Sequence, residues 1–301
     1  VGDAIRTQGL TKYYGRNRGV AELDLAVPPG AVFGFLGPNG AGKTTTIRLL
    51  LDLIRPTGGR AEVLGMDTRS HSVEIRRRVG YLSGELALYE NLTGRELLDY
   101  IANLRGLRDR RLVGQLCQRL DLDPAHHVHD LSRGNKQKLG LVLALMHRPE
   151  VLILDEPTSG LDPLAQQEFH QLLREATAEG RTVFLSSHVL SEVERIADRV
   201  GIIREGRLVD LLEVSTLKTR ALRRFELHFA RPVPAAAFER LPGVVEVAVS
   251  GEVVRCAVEG PVDALIKAAA GHELVNLVSH EPDLEEIFLA YYRRGAPHAA
   301  A

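Results

Sequence analysis

Apolar positions along the chain recur in two periods, and each period predicts a different kind of element. Short, mainly apolar runs at 31–36, Val79–Leu82, 151–154, 182–186 and 200–204 predict strands covered on both faces, because full burial removes the in-out alternation of a half-exposed strand. The first run leads into a glycine-rich loop and then a helical pattern that continues to Leu53. Between 93 and about 123 the period changes to that of a helix. Leu97, Leu98, Ile101 and Leu104 fall on one face, as do Leu112, Leu116 and Leu120. Thr93 is positioned as an N-cap, with Glu96 three residues on to complete a capping box. Strands alternating with helices predict an α/β domain built on a mainly parallel sheet, interrupted by a helical insertion.

After Leu212 the pattern changes. Strand-like runs at 224–229, 244–249 and 252–258 are punctuated by proline and glycine, with helical stretches at 235–240, 261–270 and 285–292. This predicts a separate small α+β domain, 215–301, after a first domain of 1–214. The tail 295–301 is expected to be disordered. On the helical stretch 285–292, Ile287, Phe288, Tyr291 and Tyr292 make an apolar face that needs a surface to bury against.

Charge narrows the field. The 38 basic and 39 acidic residues leave a net charge of −1, so no global basic field points to nucleic acid. No run approaches the roughly 18 apolar residues a membrane span needs, and the first ten residues lack the apolar core of a signal peptide. Any work at a membrane therefore calls for another chain to span it. Cys117 and Cys256 have no metal-ligand spacing, which favours a reducing, cytoplasmic compartment.

The chemistry is concentrated at strand ends. Gly37-Pro38-Asn39-Gly40-Ala41-Gly42-Lys43-Thr44 fits the phosphate-loop pattern, follows a predicted strand and opens a helix. Glycines let the backbone curl so that successive N–H groups face phosphate oxygens, and the helix adds its positive end. Lys43 is suited to the β- and γ-phosphates, and the Thr44 hydroxyl to magnesium. The strand 151–154 ends in Asp155-Glu156. Asp155, at the carboxyl edge of a buried strand, is the second candidate for magnesium, and Glu156 is the candidate general base.

With these motifs in order, residues 4–214 resemble the nucleotide-binding subunits of ATP-binding cassette transporters, a P-loop fold with a mixed sheet and a helical subdomain (here about 85–148). The resemblance places Tyr14, in Thr11-Lys12-Tyr13-Tyr14-Gly15, where an aromatic ring stacks on adenine. It also implies that Gly37 to Thr44, with Thr45, line the ATP site. Leu131-Ser132-Arg133-Gly134-Asn135 stands at the signature loop, Ser159-Gly160-Leu161-Asp162 at the D-loop, and His188 at the switch histidine that contacts the γ-phosphate. Ser132, Gly134 and Asn135 open a further helix, so one chain carries two phosphate-binding elements. The resemblance implies that ATP is sandwiched between Lys43 of one protomer and Ser132 of its partner in a two-fold homodimer.

Two departures stand out. Gly84 occupies the position of the Q-loop glutamine, with Glu85 beside it, and Arg133 and Asn135 replace a glycine and a glutamine of the signature. Together with Lys136-Gln137-Lys138-Leu139 they resemble the branch that exports drugs and antibiotics. The expected function is an ATPase, using ATP and Mg²⁺, that powers efflux of a drug-like, antibiotic or lipid-like compound. Its expected partner is a separate integral-membrane permease, which holds it at the inner face of the cell membrane, with no periplasmic or extracellular binding protein. The alternatives are an importer cassette with a regulatory domain and a non-transport ATPase of the same family. Leu86, Leu88 and Tyr89 are candidates either for touching the permease or for packing the insertion. His126, His127 and His129 read as a solvated or locally packed loop, and His147 as a charge partner for a helix C-terminus.

Overall fold

A computed structural model of the 301-residue chain describes residues 2–215 and 223–280. The chain divides into two compact units, Val1–Leu212 and Glu213–Ala301. The helix expected at 285–292 and the tail lie outside the described residues.

In the first unit β1 (Ile5–Tyr14), β2 (Asn17–Val27), β4 (Gly58–Val63) and β5 (Met66–Asp67) form an antiparallel sheet in the order β2-β1-β4-β5. The sequence reading misses all four. Their half-exposed alternation is broken by register shifts between Thr7 and Leu10, Leu10 and Lys12, and Lys12 and Tyr13, and each shift changes the face that the following residues occupy.

The second sheet has the order β10-β9-β3-β8-β7-β6, made by β3 (Val32–Leu36), β6 (Val79–Leu82), β7 (Val151–Asp155), β8 (Thr182–Ser187), β9 (Arg199–Arg204) and β10 (Arg207–Glu213). Strands β3, β7 and β8 are buried throughout, as their mainly apolar runs predict. Phe33 and Phe184 stack with centroids 5.6 Å apart. Fully burying a side chain of this kind contributes roughly 1.5–3 kcal/mol. Register matters most for the site. Leu36 pairs with Ser187 across β3–β8, and Asp155 pairs with Ser186 across β7–β8. The carboxyl ends of three neighbouring strands thus finish at one level, the edge where ligands bind in open α/β sheets.

The helices around this sheet include α1 (Lys43–Leu50), α2 (Ser72–Arg78), α3 (Gly94–Leu104), α4 (Arg111–Arg119), α5 (Arg133–Leu145), α6 (Pro163–Ala178) and α7 (Leu190–Glu194). Helix α1 stops at Leu50, short of the expected Leu53. The α3 capping box forms in both directions, from the Glu96 amide to Thr93 Oγ1 at 3.2 Å and from the Thr93 amide to Glu96 Oε2 at 2.8 Å. One residue of the predicted α3 stripe is on the surface: Leu104, at the last turn, is 68% exposed.

His147, just past α5, corrects the reading of a helix-end charge. Burial, and then the positive field of Arg105, push its pKa down to about 4, so the ring is neutral at pH 7. Its Nε2 lies 3.2 Å from the Val79 carbonyl, and its Nδ1 is buried without a partner. The unfolded chain takes up this proton near pH 6.5, the folded chain only near 4. Stability is therefore full above about 6.5 and is lost as pH falls from there toward 4. His147→Gln is expected to show a smaller drop in Tm between pH 7 and pH 5 than the parent, measured by thermal melts at both values.

The second unit is an antiparallel sheet in the order β12-β13-β11-β14, from β11 (Arg223–Phe229), β12 (Val244–Ser250), β13 (Val253–Val258) and β14 (Leu274–His280). Phe225, Leu227, Phe229, Phe238 and Cys256 pack with Leu265 of α8 (Asp263–Ala270). The helix expected at 235–240 is only a 3-10 turn, Ala235–Ala237, and α8 begins two residues later than expected. Strand β14 was not anticipated. Among the described residues no helix is long and apolar enough to cross a membrane.

Candidate active site

The loop 37–42 joins the buried end of β3 to α1. Gly42 caps the helix with φ at 111°, a conformation that favours glycine, and a Cβ there would stand 2.6 Å from the Gly19 carbonyl. No side chain caps this end, so the first amides of α1 are presented to the loop's concave face. Lys43 is 6% exposed, and a buried ammonium needs partners. Its Nζ donates to the carbonyls of Gly37 at 2.6 Å and Pro38 at 3.3 Å, and lies 3.3 Å from Glu156 Oε1.

The two carboxylates are held apart by the end of β7. Asp155, 2% exposed, accepts from Thr44 Oγ1 at 2.8 Å on one oxygen and from Ser186 Oγ on the other. Glu156 lies past the strand with φ at 49°, a left-handed conformation costing a non-glycine residue roughly 1–3 kcal/mol. Its amide is held by the Ser186 carbonyl at 3.2 Å, and its Oε2 is 2.8 Å from His188 Nδ1. The acid therefore sits between the buried ammonium and the half-exposed imidazole of His188.

Behind this pair, Glu192 of α7 accepts from Thr158 Oγ1 at 2.6 Å and from Ser187 Oγ at 3.2 Å. One carboxylate thereby ties the segment after Glu156 to the segment before His188. Neither Glu192 nor Ser186 was visible as a site residue in the sequence. The Ser186-Ser187-His188 run was the available signal, but the β7–β8 register that gives it meaning was not.

The predicted signature residues form a second group. Ser132 caps α5, its side chain accepting from the Asn135 amide at 3.2 Å. A Cβ on Gly134 would stand 2.7 Å from the Gly160 carbonyl. Arg133 Nη2 donates to Ser159 Oγ at 2.8 Å, and Gln137 Nε2 donates to the carbonyls of Glu156 and Pro157 at 3.3 and 2.9 Å. Asp162 caps α6 by accepting from the Ala165 amide at 2.9 Å, and lies 3.5 Å from Lys138 Nζ. The Ala165 amide, with a smaller contribution from Lys138, holds the Asp162 carboxyl below its usual pKa. Among the described residues no hydrogen bond or ion pair joins Ser132, Gly134 or Asn135 to residues 37–45 of the same chain. Tyr14, 47% exposed at the end of β1, reaches the loop region through Gly19, which lies beside Thr45.

Gly84 stands against Asp155, where a Cβ would be 3.3 Å from both Cγ and Oδ2. Gly84 and Glu85 both line a cavity of about 350 Å³ with Leu86, Leu131, Arg133, Lys136 and Gln137. Leu86 packs on Gly140 of α5, whereas Tyr89 is 60% exposed with its ring edge-on to Tyr100. His127 and His129 stack on each other at 5.3 Å.

The family model described as ABC transporter matches residues 20–159. The "Bacitracin transport ATP-binding protein BcrA" of Bacillus licheniformis is 42% identical over 229 residues, 75% of this chain and 75% of that protein. The "Daunorubicin/doxorubicin resistance ATP-binding protein DrrA" of Streptomyces peucetius is 38% identical over 236 residues, 76% of this chain and 72% of that protein. A solved chain described as "Structure of ATP binding subunit of ABC transporter" superimposes with a TM-score of 0.67 at 29% identity, covering 71% of this chain and 92% of that one. Fold and comparisons together define a P-loop ATPase of the cassette type. The chain belongs to the ABC transporter family, as an ATP-binding, ATP-hydrolysing subunit in the branch that includes BcrA and DrrA.

Proposed function

We propose that this chain powers efflux of a drug-like, antibiotic or lipid-like compound through a separate integral-membrane permease, which holds it at the inner face of the cell membrane. Residues 1–214 are the motor and 215–301 an accessory domain. Two chains close on ATP as a two-fold dimer. The loop Gly37 to Thr45 and Lys43 of one protomer grip the phosphates, and Tyr14 carries the base. Ser132, Gly134 and Asn135 complete the site from the other protomer, and Asp162 belongs to the loop between the two sites.

The observation that carries the reading is Glu156 held 3.3 Å from Lys43 Nζ and 2.8 Å from His188 Nδ1, directly beside the phosphate loop. Glu156 accepts a proton from water as the water oxygen bonds to the γ-phosphorus. The bond from that phosphorus to the β–γ bridging oxygen breaks, and ADP and phosphate are the products. Lys43 neutralises charge on the γ-phosphate, and His188 holds Glu156 and the phosphate in line. Thr44 Oγ1 and the Asp155 carboxylate, 2.8 Å apart, are hard oxygen donors of the kind magnesium favours, and these two residues would hold it. When bound there, magnesium neutralises charge on the β- and γ-phosphates.

The test is vesicles containing the permease and this chain, loaded with candidate compounds and supplied with ATP. ATP-dependent efflux that stops with Glu156→Gln is expected. ATP hydrolysis with no efflux of any tested class would remove the export reading and leave the ATPase.

A further inference from the structure

We propose that Lys12 is a positioning residue for the nucleotide base: it occupies one face of the Tyr14 ring and so fixes the other face as the stacking platform. The inference rests on the reading of Tyr14 as the base-carrying residue and goes beyond it. The Lys12 ammonium lies 5.2 Å from the Tyr14 ring centroid, inside the roughly 6 Å reach of a cation–π contact. The same ammonium donates to the Arg55 carbonyl at 2.7 Å, which ties it to the chain segment before β4. It is therefore a tethered cation and not a free one. The ring is bounded at its edge as well. A Cβ on Gly19 would stand 2.9 Å from Tyr14 Cε2 and 3.2 Å from Thr45 Cγ2, so the bare backbone of Gly19 is what lets the ring lie close to the phosphate-loop helix.

Two consequences follow from elementary electrostatics. A cation on one face closes that face to the base, so stacking is confined to the opposite face of a ring that is 47% exposed overall. It also draws π density toward itself, which leaves the free face less repulsive to the electron-rich face of a purine. Without Lys12 the phenol ring keeps its location but loses its fixed orientation. The loss is then felt by the base and not by the phosphates.

The experiment is equilibrium binding to the full chain by calorimetry, with magnesium ADP as the base-bearing probe and inorganic pyrophosphate as the base-free one. Tyr14→Ala is expected to weaken ADP about 5- to 50-fold, the range of a lost stacking partner, and to leave pyrophosphate within about twofold. Lys12→Met is expected to weaken ADP about 3- to 10-fold, again sparing pyrophosphate, and Lys12→Arg should recover most of the loss. In the double variant Lys12→Met should add nothing to Tyr14→Ala. If Tyr14→Ala weakens ADP but Lys12→Met leaves it unchanged, the inference is overturned and the base-platform reading survives. Equal weakening of ADP and pyrophosphate by Lys12→Met also overturns it, because Lys12 would then act on phosphate or on the fold. If Tyr14→Ala itself leaves ADP unchanged, the platform reading falls and takes the inference with it.

Discussion

Glu156→Gln is expected to lower the steady-state ATPase rate by roughly 10²- to 10⁴-fold, the usual contribution of a general base, while ATP affinity stays within a few fold. Glutamine is nearly the same size and keeps a carbonyl oxygen that can face His188 Nδ1, now 2.8 Å from the Glu156 carboxylate. Its backbone meets the same left-handed requirement. What disappears is the basic oxygen that takes the proton from water. The Lys43 ammonium loses its carboxylate neighbour but retains the Gly37 and Pro38 carbonyls, so the phosphate-gripping half of the site is left standing. Because ATP then stays uncleaved, the variant should sediment as a dimer with ATP and magnesium and as a monomer with ADP. Turnover close to the parent rate would show that water is activated by another group. A variant that stays monomeric with ATP would remove the sandwich arrangement.

Lys43→Ala acts on the complementary half. We expect ATP affinity to fall by roughly 10- to 100-fold, the scale of a lost hydrogen bond to a charged group, and turnover to become undetectable at ordinary ATP concentrations. The Lys43 ammonium has three protein oxygen neighbours. Removing Lys43 also leaves Glu156 without its buried counter-charge, so the loss in kcat should exceed the loss in binding. Titrating ATP against the Lys43→Ala and Glu156→Gln variants separates the two halves. If Lys43→Ala binds ATP as well as Glu156→Gln does, Lys43 is not a phosphate ligand.

The core strands and the phosphate loop were legible because their signals are local. An apolar run, a glycine-rich turn and a helix start lie side by side at 31–50. Thr93 and Glu96 were readable for the same reason, since a capping box spans four residues. What was not legible depends on pairing between distant segments. The bulged β1–β2 ladder hides its alternation. The level at which β7 ends beside β8 decides that Ser186 holds Asp155, and no local pattern encodes a register across thirty residues. Glu192 looks like an ordinary surface acid on a short helix until Thr158 and Ser187 are brought to it. Gly84 illustrates the converse. The sequence shows that a side chain is missing, and only the fold shows that the gap opens onto Asp155.

The bonds from Arg133 to Ser159 and from Gln137 to the carbonyls of Glu156 and Pro157, with Gly134 lying under the Gly160 carbonyl, have a mechanical meaning. They join the start of α5 directly to the stretch that carries Glu156. A displacement of the helical region would therefore meet a continuous run of contacts leading to position 156.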